Sequence, residues 1–197
     1  MSTPEATTAD ATIIRRVLAG DVNAFALIVD RYHARCLRVA THLLADSDDA
    51  EDAVQDAFVR AYRHLGSYRP RSSGDDSGGD RFGAWLLRIL VNQCRTRSAR
   101  MARYARFDTE LSGQRSGVPA ELAAESDHEA AERRTDLAQA LALLSPEHRE
   151  AVVLRFADEL SYEEMASITG VGVSALKMRV QRACTRLRAL LAEHLHA

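Results

Sequence analysis

In the stretch 82-FGAWLLRILVNQCRTRSARMARY-104, apolar residues recur at helical spacing: Phe82, Trp85, Leu86, Ile89 and Leu90. Arg81, Arg88, Arg95, Arg97, Arg100, Arg103 and Arg106 add seven positive charges, with no acid among residues 81–106. One face of such a helix belongs to a core. The other suits a polyanion, because each phosphate neutralised releases condensed counterions and a buried opposite face holds the guanidinium groups in register. A merely solvated basic face gives the same pattern, so this stretch leaves both readings open.

The composition around it favours helices. Of 197 residues 46% are hydrophobic but only 6% aromatic, Ala, Leu and Arg are abundant, and almost no segment alternates strictly. The expected fold is all-α, as two small helical domains, each near the lower size at which one core suffices. The net charge of -2 conceals blocks: six acids and no base from Asp46 to Asp56, then the basic helix, an acidic stretch and a basic C-terminal part. Cys36, Cys94 and Cys184 are odd in number and form no C-x-x-C, so reduced core thiols are expected rather than a disulfide framework or a zinc site. The N-terminal MSTPEATTAD has neither a basic nor an apolar run, and no apolar stretch approaches the ~20 residues of a bilayer span. A cytoplasmic, soluble protein is the expectation, without an appended sensor domain after the last helix.

Asp10 stands where it can cap a helix bearing Ile13, Ile14, Val17 and Leu18, closed by Gly20, and Asp21 where it can cap a longer one carrying Phe25, Ile28, Tyr32, Cys36 and Val39. The cluster 46-DSDDAEDAVQD-56 opens a third helix with Ala53, Val54, Ala57, Phe58 and Ala61 inward. Acids in its first turn favour the helix dipole, which leaves Gln55 and Asp56, beyond that turn, unexplained. Residues 68–81, rich in Gly, Ser and Asp, form a loop whose flanks Tyr68, Arg69 and Arg81 lie within reach of a ligand of the basic helix; Ser72 to Gly79 reads as a flexible insertion. From Phe107 to Glu132 seven acids face one Arg, the signature of a flexible acidic linker. The expected layout is a tail at 1–10, a domain at 11–106, the linker at 107–132 and a second domain at 133–197.

In the second domain Leu137, Leu141 and Leu144 mark one helix, and Ser145-Pro146 starts another that buries Val152, Val153 and Phe156 and ends near Asp158. Ser161 and Glu164 form a capping box, Gly170 breaks the short helix that follows, and Ser174 stands where it can cap the final one. That last helix turns Leu176, Val180, Ala183, Leu187 and Leu190 inward, and has no acid between Glu164 and Glu193. A short helix, a Gly-containing turn and a longer basic helix describe a helix-turn-helix, whose second helix enters a major groove. A basic amphipathic hairpin shares much of this pattern.

Three motifs, in order, resemble the extracytoplasmic-function (ECF) branch of the bacterial sigma-70 family: 50-AEDAVQDAFVRAYRHL-65 its acidic region 2 helix, 82-FGAWLLRILVNQCRTRSAR-100 its promoter-melting helix, and 144-LSPEHREAVVLRFADELSYEEMASITGV-171 its region 4 helix-turn-helix. The resemblance covers residues 11 to 106 and 133 to 191. It implies a four-helix region 2 domain and a region 4 domain in a promoter-specificity subunit without chemistry or cofactor of its own. Asp52, Gln55, Asp56 and Arg60 would contact the beta-prime clamp of core RNA polymerase, which gives Gln55 and Asp56 a reason that capping does not. Arg81, Arg88, Asn92, Arg95, Arg97 and Arg100 would hold the minus-ten element, a strand captured by phosphate contacts and a base taken out of the stack. Trp85 reads as core before a stacking platform.

Ser174, Lys177, Met178, Arg179, Gln181, Arg182 and Arg186 would meet the minus-thirty-five element. Arg182 is the first choice for base discrimination, since a bidentate Arg to guanine is worth ~1–3 kcal/mol. The resemblance also implies the polymerase beta flap and an anti-sigma factor as partners. Ser174-Ala175, Met178 and Cys184 depart from residues frequent in the family, so the promoter preference is this chain's own, and Asp75, Asp76 and Asp80 in the loop would repel DNA unless they point away. Two rivals remain: a stand-alone helix-turn-helix regulator, which has no need of the acidic helix, and a helical interaction module that reads no DNA.

Overall fold

The computed structural model describes residues 9–44, 46–68, 81–112 and 128–194. Among these every regular element is helical: α1 (Asp10–Leu18), α2 (Phe25–Leu43), α3 (Ser47–His64), α4 (Arg81–Ser112), α5 (His128–Ala142), α6 (Pro146–Val152), α7 (Tyr162–Thr169) and α8 (Val173–His194).

Local signals set most helix ends. Asp21 accepts from the Ala24 amide at 3.3 Å and closes a short 3-10 turn that leads into α2, and Asp46 accepts from the Asp49 amide at 2.9 Å at the head of α3. At α7 the Ser161 hydroxyl accepts from the Glu164 amide at 3.2 Å while the Glu164 carboxylate accepts from the Ser161 amide at 2.8 Å, a complete capping box. Gly170 ends α7 at φ +74, where a Cβ would be strained.

Elsewhere helix ends depart from the expected caps. Asp10 lies inside the first turn of α1, and its carboxylate accepts from the Tyr32 hydroxyl at 2.6 Å and pairs with Arg31, tying α1 to α2. Ser145 occupies the cap position of α6 without a side-chain cap bond, and α8 begins at Val173, one residue before Ser174. Leu137 is 41% and Phe156 59% exposed rather than buried. Phe156 sits in a π-helical turn, Val153–Ala157, whose extra residue swings it outward while Leu154 takes the interior place. α4 continues to Ser112 and α5 starts at His128, and residues 113–127 of the expected linker lie outside the described residues.

α1 to α4 form one bundle and α5 to α8 a second group, but their interiors merge. The buried cluster containing Ile13, Ile28, Val54, Leu86 and Leu90 continues into Leu154, Met165, Ile168, Leu176 and Val180. A smaller cluster of Leu141, Leu144, Val152, Ala183, Leu187 and Leu190 joins α5 and α6 to α8. Each half alone is small for a single core, and apolar surface that one half leaves open is covered by the other. α7 lies against α4, and the π turn after α6 lies against α2.

Polar groups tie this junction. Arg35 of α2 donates two bonds to Asp158, at 2.7 and 2.9 Å. Arg149, half-buried, donates to the carbonyls of Leu43 at 3.1 Å, Leu141 at 2.8 Å and Ala142 at 2.6 Å, so one cation serves the C-terminal ends of α2 and α5. Burial pulls its pKa below the usual arginine value.

Candidate functional site

Three charged faces come out of this fold. The first is the outer side of α3. Ala50, Ala53, Val54, Ala57, Phe58 and Ala61 form its buried stripe, so helical periodicity turns Asp52, Gln55, Asp56 and Arg60 outward, and all four are exposed. Beside it, α2 and α3 enclose an open apolar groove of about 840 Å³, with Phe25, Val29, Val54, Phe58, Val59 and Tyr62 in its lining and Gln55 and Asp52 on its margin. Phe25 meets Phe58 and Tyr62 edge-on, at 6.5 and 5.2 Å between ring centroids. This groove escaped the sequence, since Phe25 and Phe58 read there as ordinary core residues.

The second face is the basic side of α4, and its arginines are not equivalent. Arg88, Asn92 and Arg100 are exposed, and no carboxylate among the described residues pairs with Arg88 or Arg100. Arg95 is taken. Its Nε and Nη2 donate to the two carboxylate oxygens of Glu150 on α6, both at 2.7 Å, a fork that holds the arginine pKa up. Glu150 itself is only 6% exposed.

Arg97 is taken more completely. Its guanidinium sits 2.7 Å from Asp56, 3.4 Å from Asp49 and 3.5 Å from Asp52, and its side chain is 14% exposed. Two of the four residues expected to face polymerase are therefore joined to one of those expected to face DNA. The side chain of Arg81 and residues 69–80, with Asp75, Asp76 and Asp80, lie outside the described residues.

At the root of this helix Trp85, half-buried, packs against Phe82 and Tyr68, with ring centroids 5.4 and 5.1 Å away, at the edge of the core. Tyr68, half-buried, belongs to the same cluster. Cys94 is buried below Arg95, and burial pushes its thiol up to about 12.

The third face belongs to α8. Leu176, Val180, Ala183, Leu187 and Leu190 are buried, as the periodicity predicts, leaving Ser174, Lys177, Met178, Gln181, Arg182 and Arg186 exposed and Arg179 half-buried. Among the described residues no carboxylate pairs with Arg179, Arg182, Arg186 or Arg188. Met178, Gln181, Arg182 and Arg186 border one shallow groove. The ammonium of Lys177 lies 5.6 Å from the centre of the Tyr162 ring, whose surroundings include Arg155 at 5.3 Å, so α7 steadies one cation at the head of α8.

Sequence reasoning missed the residues of the junction, Arg35, Glu150 and Asp158. A signal for Glu150 existed: it lies three and four positions before Val153 and Leu154, on the buried side of its helix, where a carboxylate needs a partner. Nothing local revealed that the partner is Arg95, 55 residues earlier. Among the described residues no cluster of His, Cys, Asp or Glu could hold a metal ion, and no helix is long and apolar enough to cross a membrane.

Comparison with known families matches sigma-70 region 2 to residues 28–104 and sigma-70 region 4 to residues 134–187. Curated relatives include the RNA polymerase sigma factor CarQ of Myxococcus xanthus, 32% identical with 91% of this chain and 96% of the relative covered. The ECF RNA polymerase sigma-E factor of Escherichia coli is also 32% identical, over 88% of this chain and 90% of the relative. Among solved structures, the sigma factor RpoE in complex with the anti-sigma factor NepR from Bartonella quintana superposes with a TM-score of 0.65 at 29% identity, covering 85% of this chain and 96% of that one. CnrH in complex with the cytosolic domain of CnrY gives a TM-score of 0.65 at 26% identity, covering 93% and 97%.

Proposed function

The chain belongs to the sigma-70 family, as an ECF RNA polymerase sigma factor, and from that membership we propose how its three faces are used. The outer face of α3, with Asp52, Gln55, Asp56 and Arg60, docks on the beta-prime clamp of core polymerase, and the adjoining apolar groove widens the contact. Region 4 meets the beta flap. Arg88, Asn92 and Arg100 take the phosphates and a base or sugar edge of the minus-ten strand. Lys177, Met178, Gln181 and Arg182 read the minus-thirty-five element in the major groove, with Ser174, Arg179 and Arg186 on its backbone. Catalysis stays with the polymerase; the sigma factor recruits, positions and helps to open the DNA.

The observation that carries this reading is the presence in one chain of an exposed acidic helix face and two basic helices, a combination that a free-standing duplex-binding regulator does not require. Arg95 adds a condition. Its Nε and Nη2 already hold Glu150, so the full guanidinium fork is open to a phosphate only when the carboxylate yields, while Nη1 is left for it meanwhile. An anti-sigma factor is a further proposed partner, supported by the solved relative RpoE, which is bound to the anti-sigma factor NepR.

The test is co-migration of the purified protein with its host's core polymerase on a sizing column, beside an Asp56→Arg variant. Co-migration lost in the variant supports the assignment. A folded wild-type protein that fails to bind core without any inhibitor present overturns it, and tight sequence-specific duplex binding without polymerase favours the stand-alone regulator.

A further inference from the structure

Arg97 looks in sequence like one more phosphate ligand on the basic helix. The structure turns it the other way, into the acids of α3, and we infer that Arg97 is a positioning residue for polymerase binding: it sets the Asp52 and Asp56 carboxylates in the arrangement that the polymerase meets. The inference rests on the placement of Asp52 and Asp56 at the polymerase surface given above.

Asp49, Asp52 and Asp56 fall three and four residues apart on one helix, so their carboxylates are neighbours and repel one another. Arg97 supplies the opposing charge from below, with Nη2 2.7 Å from Asp56 and Nη1 3.4 and 3.5 Å from Asp49 and Asp52. The arginine is 14% exposed, whereas Asp52 and Asp56 are 64% and 57% exposed. Each of these two carboxylates therefore meets Arg97 on its inner side and keeps acceptor capacity facing solvent, where a basic partner approaches.

Arg97 Nε is buried with no hydrogen-bond partner among the described residues. An unpaired buried donor is unfavourable, and the side chain tolerates it while its other nitrogens span three carboxylates. A lysine has one compact ammonium in place of this planar fork and cannot span all three. The same contact joins α3 to α4, so the helix that would hold the promoter strand also sets the carboxylates offered to the polymerase.

The experiment is a double-mutant cycle on the full chain, with Arg97→Gln, Asp56→Asn and the pair, plus Arg97→Lys. It reads affinity for host core polymerase, the thermal midpoint of the free protein, and the salt dependence of holoenzyme binding to a promoter fragment. Expected are about tenfold weaker core binding for Arg97→Gln, equivalent to ~1.4 kcal/mol, little further loss when it is added to Asp56→Asn, partial recovery in Arg97→Lys, and an unchanged salt slope. A purely structural role would lower the midpoint and act equally in both backgrounds, which overturns the inference. So does tighter core binding by Arg97→Gln, which would make Arg97 a mask, or unchanged core binding with a shallower salt slope, which would make it a phosphate ligand. If Asp56→Asn itself leaves core binding intact, the placement of Asp56 at the polymerase falls, and this inference with it; if Asp56→Asn weakens binding and Arg97→Gln does not, only this inference falls.

Discussion

Two helices, α4 and α8, carry most of the concentrated positive charge and use it differently. On α8, Arg179, Arg182, Arg186 and Arg188 have no carboxylate partner among the described residues, and Arg182 and Arg186 border one groove with Met178 and Gln181. On α4, Arg95 is held by Glu150 and Arg97 by Asp49, Asp52 and Asp56, so only part of a basic helix is free. Density of charge along a helix is therefore a poor measure of what it offers a ligand. The deciding factor is what packs opposite: α8 faces outward on the side away from its core, while α4 lies between an acidic helix and the second domain.

The largest effects should come from the core that both halves share. Leu154→Ala, at a fully buried site, should cost about 2–5 kcal/mol. A single cooperative transition seen by denaturant melts probed in both halves would show them unfolding together, while two separate transitions would break the picture of a continuous interior.

Replacing Arg182 by Ala should lower discrimination between a cognate minus-thirty-five element and a mismatched one by ~1–3 kcal/mol, with the thermal midpoint nearly unchanged because the side chain is exposed. Equal affinity for both elements in the wild-type protein would remove the readout assigned to α8.

Glu150→Gln removes the charge that holds Arg95. It should destabilise the free protein by about 2 kcal/mol, the scale of a charge-assisted bond, and should increase promoter binding by the freed arginine. Loss of stability with no gain in binding would mean that Arg95 serves the junction alone. Within α4, Arg88→Ala and Arg100→Ala should each lower the log-log salt slope of promoter binding by about 0.7–0.9 if each holds one phosphate. A similar drop for Arg97→Gln would erase the distinction between free and engaged arginines.

The smallest effect concerns Cys94. Its thiol titrates near 9.0 when unperturbed and is pushed up to about 12 here by burial, so its neutral form is favoured in the folded state. Below about pH 9 both states are protonated and this preference is harmless; above it the unfolded chain ionises first, and stability falls by up to ~1.4 kcal/mol per pH unit until the folded thiol also titrates. Denaturation of wild type and Cys94→Ala at pH 8 and pH 10 should show the steeper decline in the wild type.

Periodicity alone identified the interior sides of α3 and α8, because a helix buried along one stripe repeats its apolar residues every three or four positions. The caps at Ser161 and Gly170 were equally legible, since each acts within four residues. Prediction failed at Asp10, which left its expected cap for the distant Tyr32, and at Phe156, which a π turn turned outward. Of the candidate contact residues, sequence placed Asp52, Gln55, Asp56, Lys177 and Arg182 on exposed faces, because exposure follows from the register of a single helix. It could not tell Arg97 from Arg100, three residues apart on the same helix. That difference depends on which carboxylates another helix brings within bonding distance, and only the packing of α3 on α4 decides it.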